Sequence, residues 1–146
     1  MLFCGNFIAA GLLSQPRGSE NAEGKSMYVD GFVIPIKKKN LRLYRAMAKK
    51  GGKIWKKYGA LQYFECVGDD LHPKWIKTTF PKIARTKKDE TVFFSFIIYK
   101  SKRHRDQVNA KVMKDPEMSD EHWKDKPMPF DMKRMTYGGF KTVVEA

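Results

Sequence analysis

From Tyr28 to Ile36 the chain reads YVDGFVIPI, rich in Val, Ile and Phe and marked at its end by Pro35, which predicts a β-strand. Lys37 to Lys39 form a connector, and Asn40 stands where a helix cap is expected. Leu41, Tyr44, Ala48, Gly51, Trp55 and Tyr58 then recur at steps of three and four, with Met47 and Ile54 broadening the stripe. This spacing predicts an amphipathic helix whose other face carries Arg42, Arg45, Lys49, Lys53, Lys56 and Lys57. Gly51 and Gly52 weaken that helix and let it lie close to a sheet, and Gly59 ends it. ALQYFECV, residues 60–67, predicts a second strand, closed by Gly68-Asp69-Asp70. A long basic loop with Pro73 and Pro81 runs to Asp89. TVFFSFIIY, residues 91–99, is apolar on both alternating faces and predicts a central strand. Ser101 is the natural cap of a second helix, ended by Asp115-Pro116, on which His104, Val108 and Val112 share one side. An irregular stretch to Arg134, a turn at YGGF and a last strand over residues 140–144 complete the pattern.

The order is β-α-β-β-α-β, the ferredoxin-like arrangement of the α+β class: a four-stranded antiparallel sheet with both helices on one face. The other face still presents apolar bulk, with Phe32, Phe93 and Ile97 as candidates, and needs a cover. A second copy of the same sheet is the economical cover, so a two-fold homodimer is expected. The alternation does not decide which set of strand residues faces the helices.

Composition adds a boundary and a field. The chain has 146 residues, 42% of them hydrophobic, enough for one domain with a core. The formal net charge is +13, and since Arg17 and Lys25 balance Glu20 and Glu23, all of it resides in residues 27–146. Residues 1–26 read as an extension ahead of a domain spanning residues 27–146: a short apolar run lacking the basic start of a secretory signal, then a Ser-, Gly- and Glu-rich linker. Cys4 and Cys66 form no metal-like or disulfide spacing, which fits a reducing cytoplasm, and no apolar run is long enough to predict a membrane-spanning helix.

MYVDGFVIP, ECVGDD, ETVFFSFIIYKSKRHRDQVNAKVMKDP and MPFDMKRMTYGGF resemble the YbaA-like family of small bacterial proteins of unknown function. The resemblance covers Met27 to about Glu145; the first 26 residues lie outside it, and the loop from Lys74 to Lys88 departs in its basic character. It implies a dimeric α+β barrel of ferredoxin-like subunits and transfers no reaction. Related dimeric barrels include cofactor-free monooxygenases, haem-degrading enzymes and small-molecule isomerases, an analogy at the level of fold.

Candidate chemistry starts with His104, the one histidine on a helix face turned toward the sheet, as a proton donor or acceptor. Asp106 is no partner for it, because side chains two apart on a helix diverge. Asp30, Glu65 and Ser95 interrupt apolar strands, and a carboxylate on a covered sheet face needs a counter-group. Arg105, Arg134 and Tyr137 are the candidates for that role and for holding an anionic ligand group. Asp69 and Asp70 are too few to hold a divalent ion alone, and the expectation is neither metal nor cofactor. The leading reading is a dimer that binds, and converts, a small molecule in a pocket between sheet and helices. The charge sustains a rival, a nucleic-acid-associated protein using Lys49, Lys53, Lys56, Arg85 and Lys87, although the aromatic signature of RNA-binding sheets of this fold is absent. A structural or interaction dimer without catalysis is the third reading.

Overall fold

In the computed structural model, which describes residues 26–146, four strands form one antiparallel sheet in the order β2-β3-β1-β4. They are β1 (Tyr28–Lys37), β2 (Gln62–Val67), β3 (Glu90–Tyr99) and β4 (Thr136–Lys141). The two long helices are α1 (Leu41–Lys57) and α3 (Lys102–Met113); α2 (Phe80–Ile83) and α4 (Asp120–Trp123) are single turns in the connections. The segment read as an upstream extension falls, but for Ser26, outside the described residues.

Strands β3 and β1 are the interior pair, and both carry apolar residues on both faces. Phe93, Ile97 and Tyr99 point at the helices and are buried. The buried apolar residues fall into two clusters, one under α1 around Ile34, Ile36, Tyr44, Ala48 and Phe93, the other between α1 and α3 around Ile54, Ile97, Tyr99, Val108 and Val112. Phe32 packs against both, so the face assignment differs from the expectation: Phe32, Phe93 and Ile97 belong to the helix side. The open side carries Phe64, Phe94 and Phe96, with Phe140 from β4. Phe64 stacks on Phe96 at 5.0 Å between ring centroids, and Phe94 lies 5.7 Å from Phe96. Phe80 of α2 reaches Phe94 at 5.9 Å, so the loop after β2 covers only one end of this face.

Ser101 caps α3 as expected, its hydroxyl accepting from the His104 N–H at 3.1 Å, and Gly59 takes a positive φ of 112° at the end of α1. Asn40 behaves differently. It stands at the cap position of α1, but its amide donates to the Pro129 carbonyl at 2.9 Å and ties the helix start to the distal segment. The last strand also differs. YGGF lies within β4 rather than turning the chain, because the two glycines are needed for close approach and not for bending. A Cβ on Gly139 would come within 2.4 Å of the Tyr28 hydroxyl oxygen, and the Phe140 ring lies across Gly31 and Gly138.

At the start of β3, Glu90 is a buried carboxylate with a full set of partners. Arg134 donates to its two oxygens at 2.5 and 2.9 Å, and the Lys87 N–H donates at 2.8 Å. The hydrogen bonds from Arg134, ahead of the cost of burial, lower its pKa from 4.5 to about 2. A depressed carboxylate pKa contributes stability that is complete above the unfolded value and lost as pH falls through the folded one. Glu90→Gln is therefore expected to destabilise the protein by about 2 kcal/mol at neutral pH, after allowing for solvent at Arg134. That gap should close between about pH 4.5 and pH 2 in urea titrations; a gap constant with pH would refute the assignment.

Candidate functional site

Glu65 sits on β2 directly opposite Ser95 of β3, and the strand alternation points both at α1. The Ser95 hydroxyl donates to one Glu65 oxygen, Oε2, which also accepts from the Tyr44 hydroxyl of α1 at 2.7 Å. The other oxygen, Oε1, accepts from the Tyr63 hydroxyl at 2.7 Å, two residues along the same strand and face. Three hydroxyls thus hold one carboxylate. Burial first, and then the charge of Glu65, push the Tyr44 and Tyr63 phenols far above their usual range, so both remain donors at neutral pH.

Each tyrosine is itself held in place. Tyr44 packs on Phe93 at 4.5 Å and on Phe130 at 5.7 Å. Tyr63 lies beside Trp55 and passes so near Gly52 that a Cβ there would come within 2.9 Å of its ring. The glycine pair in α1 therefore serves the contact between helix and sheet that the sequence suggested, at Gly52 above all.

This carboxylate cluster borders a cavity of about 90 Å³ beneath α1. The walls are apolar: Phe32, Ile34, Ile97 and Trp55, with Met47, Met118, Met132 and Met135. Methionine has a flexible, polarizable side chain, so such a lining adapts its shape to an occupant. The irregular segment after α3 closes the far side, contributing Met118, Trp123, Phe130, Met132 and Met135. On the near side Tyr44, Ala48, Tyr63 and Glu65 also line an open groove between α1 and the edge strand β2.

The residues singled out in the sequence separate into distinct places. Glu65 and Ser95 meet at the cavity. Asp30, Arg105 and Tyr137 meet in a second, buried cluster: Arg105 donates to Asp30 at 3.1 Å and to the Tyr137 hydroxyl at 2.6 Å, and Tyr137 donates to Asp30 at 3.0 Å. The Tyr28 ring lies 4.8 Å from the Arg105 guanidinium. Nearby, Asn109 accepts from Trp55 at 3.0 Å and from Tyr99 at 3.1 Å, which ties α1 and β3 to α3. Burial raises the Asp30 pKa against the opposing pull of Arg105. Arg134 is engaged by Glu90 and by the Arg85 carbonyl.

His104 stands apart from both clusters. Its Nδ1 accepts from the Lys100 N–H at 3.1 Å, and its ring meets Tyr99 edge-on at 6.2 Å, beside Gly59. Desolvation, then Lys100 and Lys111, lower its pKa. The residues that α3 buries are Arg105, Val108, Asn109 and Val112, so the face turned to the sheet is offset by one residue from the stripe that begins at His104. Tyr44 and Tyr63, which complete the carboxylate cluster, carried one legible signal. A tyrosine in a buried stripe brings a hydroxyl that needs an acceptor. Among the described residues no cluster of three or more His, Cys, Asp or Glu is placed to hold a metal ion, and no helix is long and apolar enough to cross a membrane.

Strand order, antiparallel pairing and two helices on one face define a ferredoxin-like α+β protein. The chain belongs to the DUF1428 family, described as proteins of unknown function, whose model matches residues 27–132. It is 41% identical over 118 residues to the uncharacterized protein YbaA of Escherichia coli K12, covering 81% of this chain and 97% of that one. The identity to YbaA of Shigella flexneri is the same. Among solved structures it is similar to a dimeric ferredoxin-like protein from an uncultured marine organism, with a TM-score of 0.56 and 12% identity over 84% of this chain and 100% of that one. That likeness supports the fold.

Proposed function

We propose that this protein acts as a cytoplasmic homodimer that binds, and converts, a small organic molecule in the cavity beneath α1, with Glu65 as the group that accepts its hydrogen bond or proton. The observation that carries the reading is a carboxylate held by three hydroxyls at the edge of an otherwise apolar, methionine-lined space. Such a carboxylate is pre-oriented beside an apolar lining, where a hydrogen bond to a ligand is stronger than in water. The proton-handling role envisaged for His104 therefore passes to Glu65. The volume sets the scale of the ligand: a cavity of about 150 Å³ holds benzene, so this one takes a group of about three or four carbons without adjustment.

The open aromatic face supports the dimer. Phe64 and Phe94 are each 44% exposed and flank Phe96, a contiguous apolar surface of the kind that marks an interface.

Isobutanol is a suitable probe, and the methionine methyl groups report on the cavity by NMR. The expected result is a shift of the Met47, Met118, Met132 and Met135 signals on titration. Ala48→Leu, which fills the space at a cost of about 1–3 kcal/mol, should abolish it. Glu65→Gln should weaken binding about fivefold, through loss of a charge-assisted acceptor worth about 1 kcal/mol. Unmoved methionine signals, or shifts that persist in Ala48→Leu, would remove the cavity as the site.

A further inference from the structure

The groove alongside the cavity has a built polarity that the proposed site does not use. Arg42, Arg45, Lys49, Lys53 and Lys56 line it, at steps of three and four along α1. Residues three and four apart share one side of a helix, so these five make a single row beside the buried face, about 21 Å long. All five are exposed. Among the described residues no carboxylate forms an ion pair with any of them. The one carboxylate in the groove wall is Glu65, already engaged by its three hydroxyls. A row of like charges this close is mutually repulsive unless an anion lies along it.

Four residues join the groove to the cavity: Tyr44, Ala48, Tyr63 and Glu65. Tyr44 and Ala48 are each followed at once in the chain by a cation of the row, Arg45 and Lys49. A ligand whose apolar end fills the cavity would pass Glu65 and emerge beside these two cations. Glu65 repels an anionic group and the row attracts it, so a ligand with one charged end is oriented head outward.

Building on the reading of the cavity as a small-molecule site, we propose that the ligand is a short-chain alkyl phosphate: a body of a few carbons in the cavity and an anionic phosphoryl head in the α1/β2 groove, held by Arg45 and Lys49. Arg105 and Arg134, the cations singled out from the sequence for this task, are each engaged elsewhere, with Asp30 and with Glu90.

The test compares isobutyl phosphate, isobutanol and inorganic phosphate, by calorimetry and by the methionine methyl signals, at low and moderate salt. Isobutyl phosphate is expected to bind about tenfold more tightly than isobutanol at low salt, a preference that added salt erodes. Arg45→Gln/Lys49→Gln should erase the preference, while Lys87→Gln/Lys88→Gln, equal in charge but outside the row, should keep it. Equal binding of ester and alcohol by the wild type, or a preference that survives in Arg45→Gln/Lys49→Gln, overturns the phosphate head alone. Methionine signals that neither probe moves overturn the cavity reading and the phosphate head together. A single-stranded oligouridylate that binds the wild type and is lost in Arg45→Gln/Lys49→Gln, with no preference for the ester, marks the row as a polyanion track and overturns the proposal.

Discussion

Arg105→Met is expected to lower the free energy of unfolding by about 3–4 kcal/mol at neutral pH, the cost of leaving a buried charge without its partner. Asp30 and Arg105 are 2% and 4% exposed, and the tyrosines that surround them supply hydroxyls but no positive charge. Without the guanidinium, Asp30 must either fold as a buried anion or take up a proton. This gives a pH signature. An acid whose folded pKa is raised contributes stability that is present below its unfolded pKa and lost as pH rises through the folded one. Burial already raises Asp30 with Arg105 in place, and the variant loses the opposing attraction. The deficit of Arg105→Met should therefore shrink as the pH is lowered from 7 toward the ordinary carboxylate range, above the range in which the Glu90→Gln gap closes. Adding Asp30→Asn should restore at least half of the loss, because replacing both partners removes the uncompensated charge. Urea unfolding followed by tryptophan fluorescence measures both effects. A double variant no more stable than Arg105→Met would mean that the arginine acts through its packing rather than its charge.

The same pair shows where the sequence was legible and where it was not. Each strand and helix announces itself by period, and Ser101, Gly59 and Asp115-Pro116 mark ends by local chemistry, so the order of elements follows from neighbours in the chain. The strand polar residues were also legible as a problem, since Asp30 and Glu65 interrupt apolar runs and require partners. Their grouping was not. Arg105 lies 75 residues from Asp30, and Tyr44 lies 21 residues from Glu65, so the pairs exist only once the helices are laid on the sheet. Burial of Arg105 with Asn109, rather than His104 alone, reflects the same limit. A charged residue is read as outward unless the partner that lets it be buried is known. The face of β3 was undecidable for a different reason, since alternating apolar sets on both sides carry no sign of which side the helices take.

Phe96→Lys is expected to convert the proposed dimer into a folded monomer. Phe96 sits between Phe64 and Phe94 at the centre of the open face. In a symmetric dimer every substitution appears twice, so two lysines would be buried in the aromatic interface. Each costs several kcal/mol, enough to raise the dissociation constant more than ~1000-fold. In the isolated subunit the same lysine faces water, so secondary structure should be retained. Sedimentation velocity at micromolar concentration separates these states, and Phe64→Lys is a second test on the neighbouring strand. A monomeric wild type, or lysine variants that remain dimeric, would remove the sheet face as the interface. The consequence reaches the cavity through strand alternation. β2 is an edge strand paired only with β3, and it presents Phe64 outward between Tyr63 and Glu65, which point inward. A partner pressing on Phe64 buttresses the strand that positions the carboxylate. The monomeric variant should therefore bind isobutanol more weakly than the wild type although neither lysine touches the Glu65 cluster, and equal binding would show that each subunit holds its site unaided.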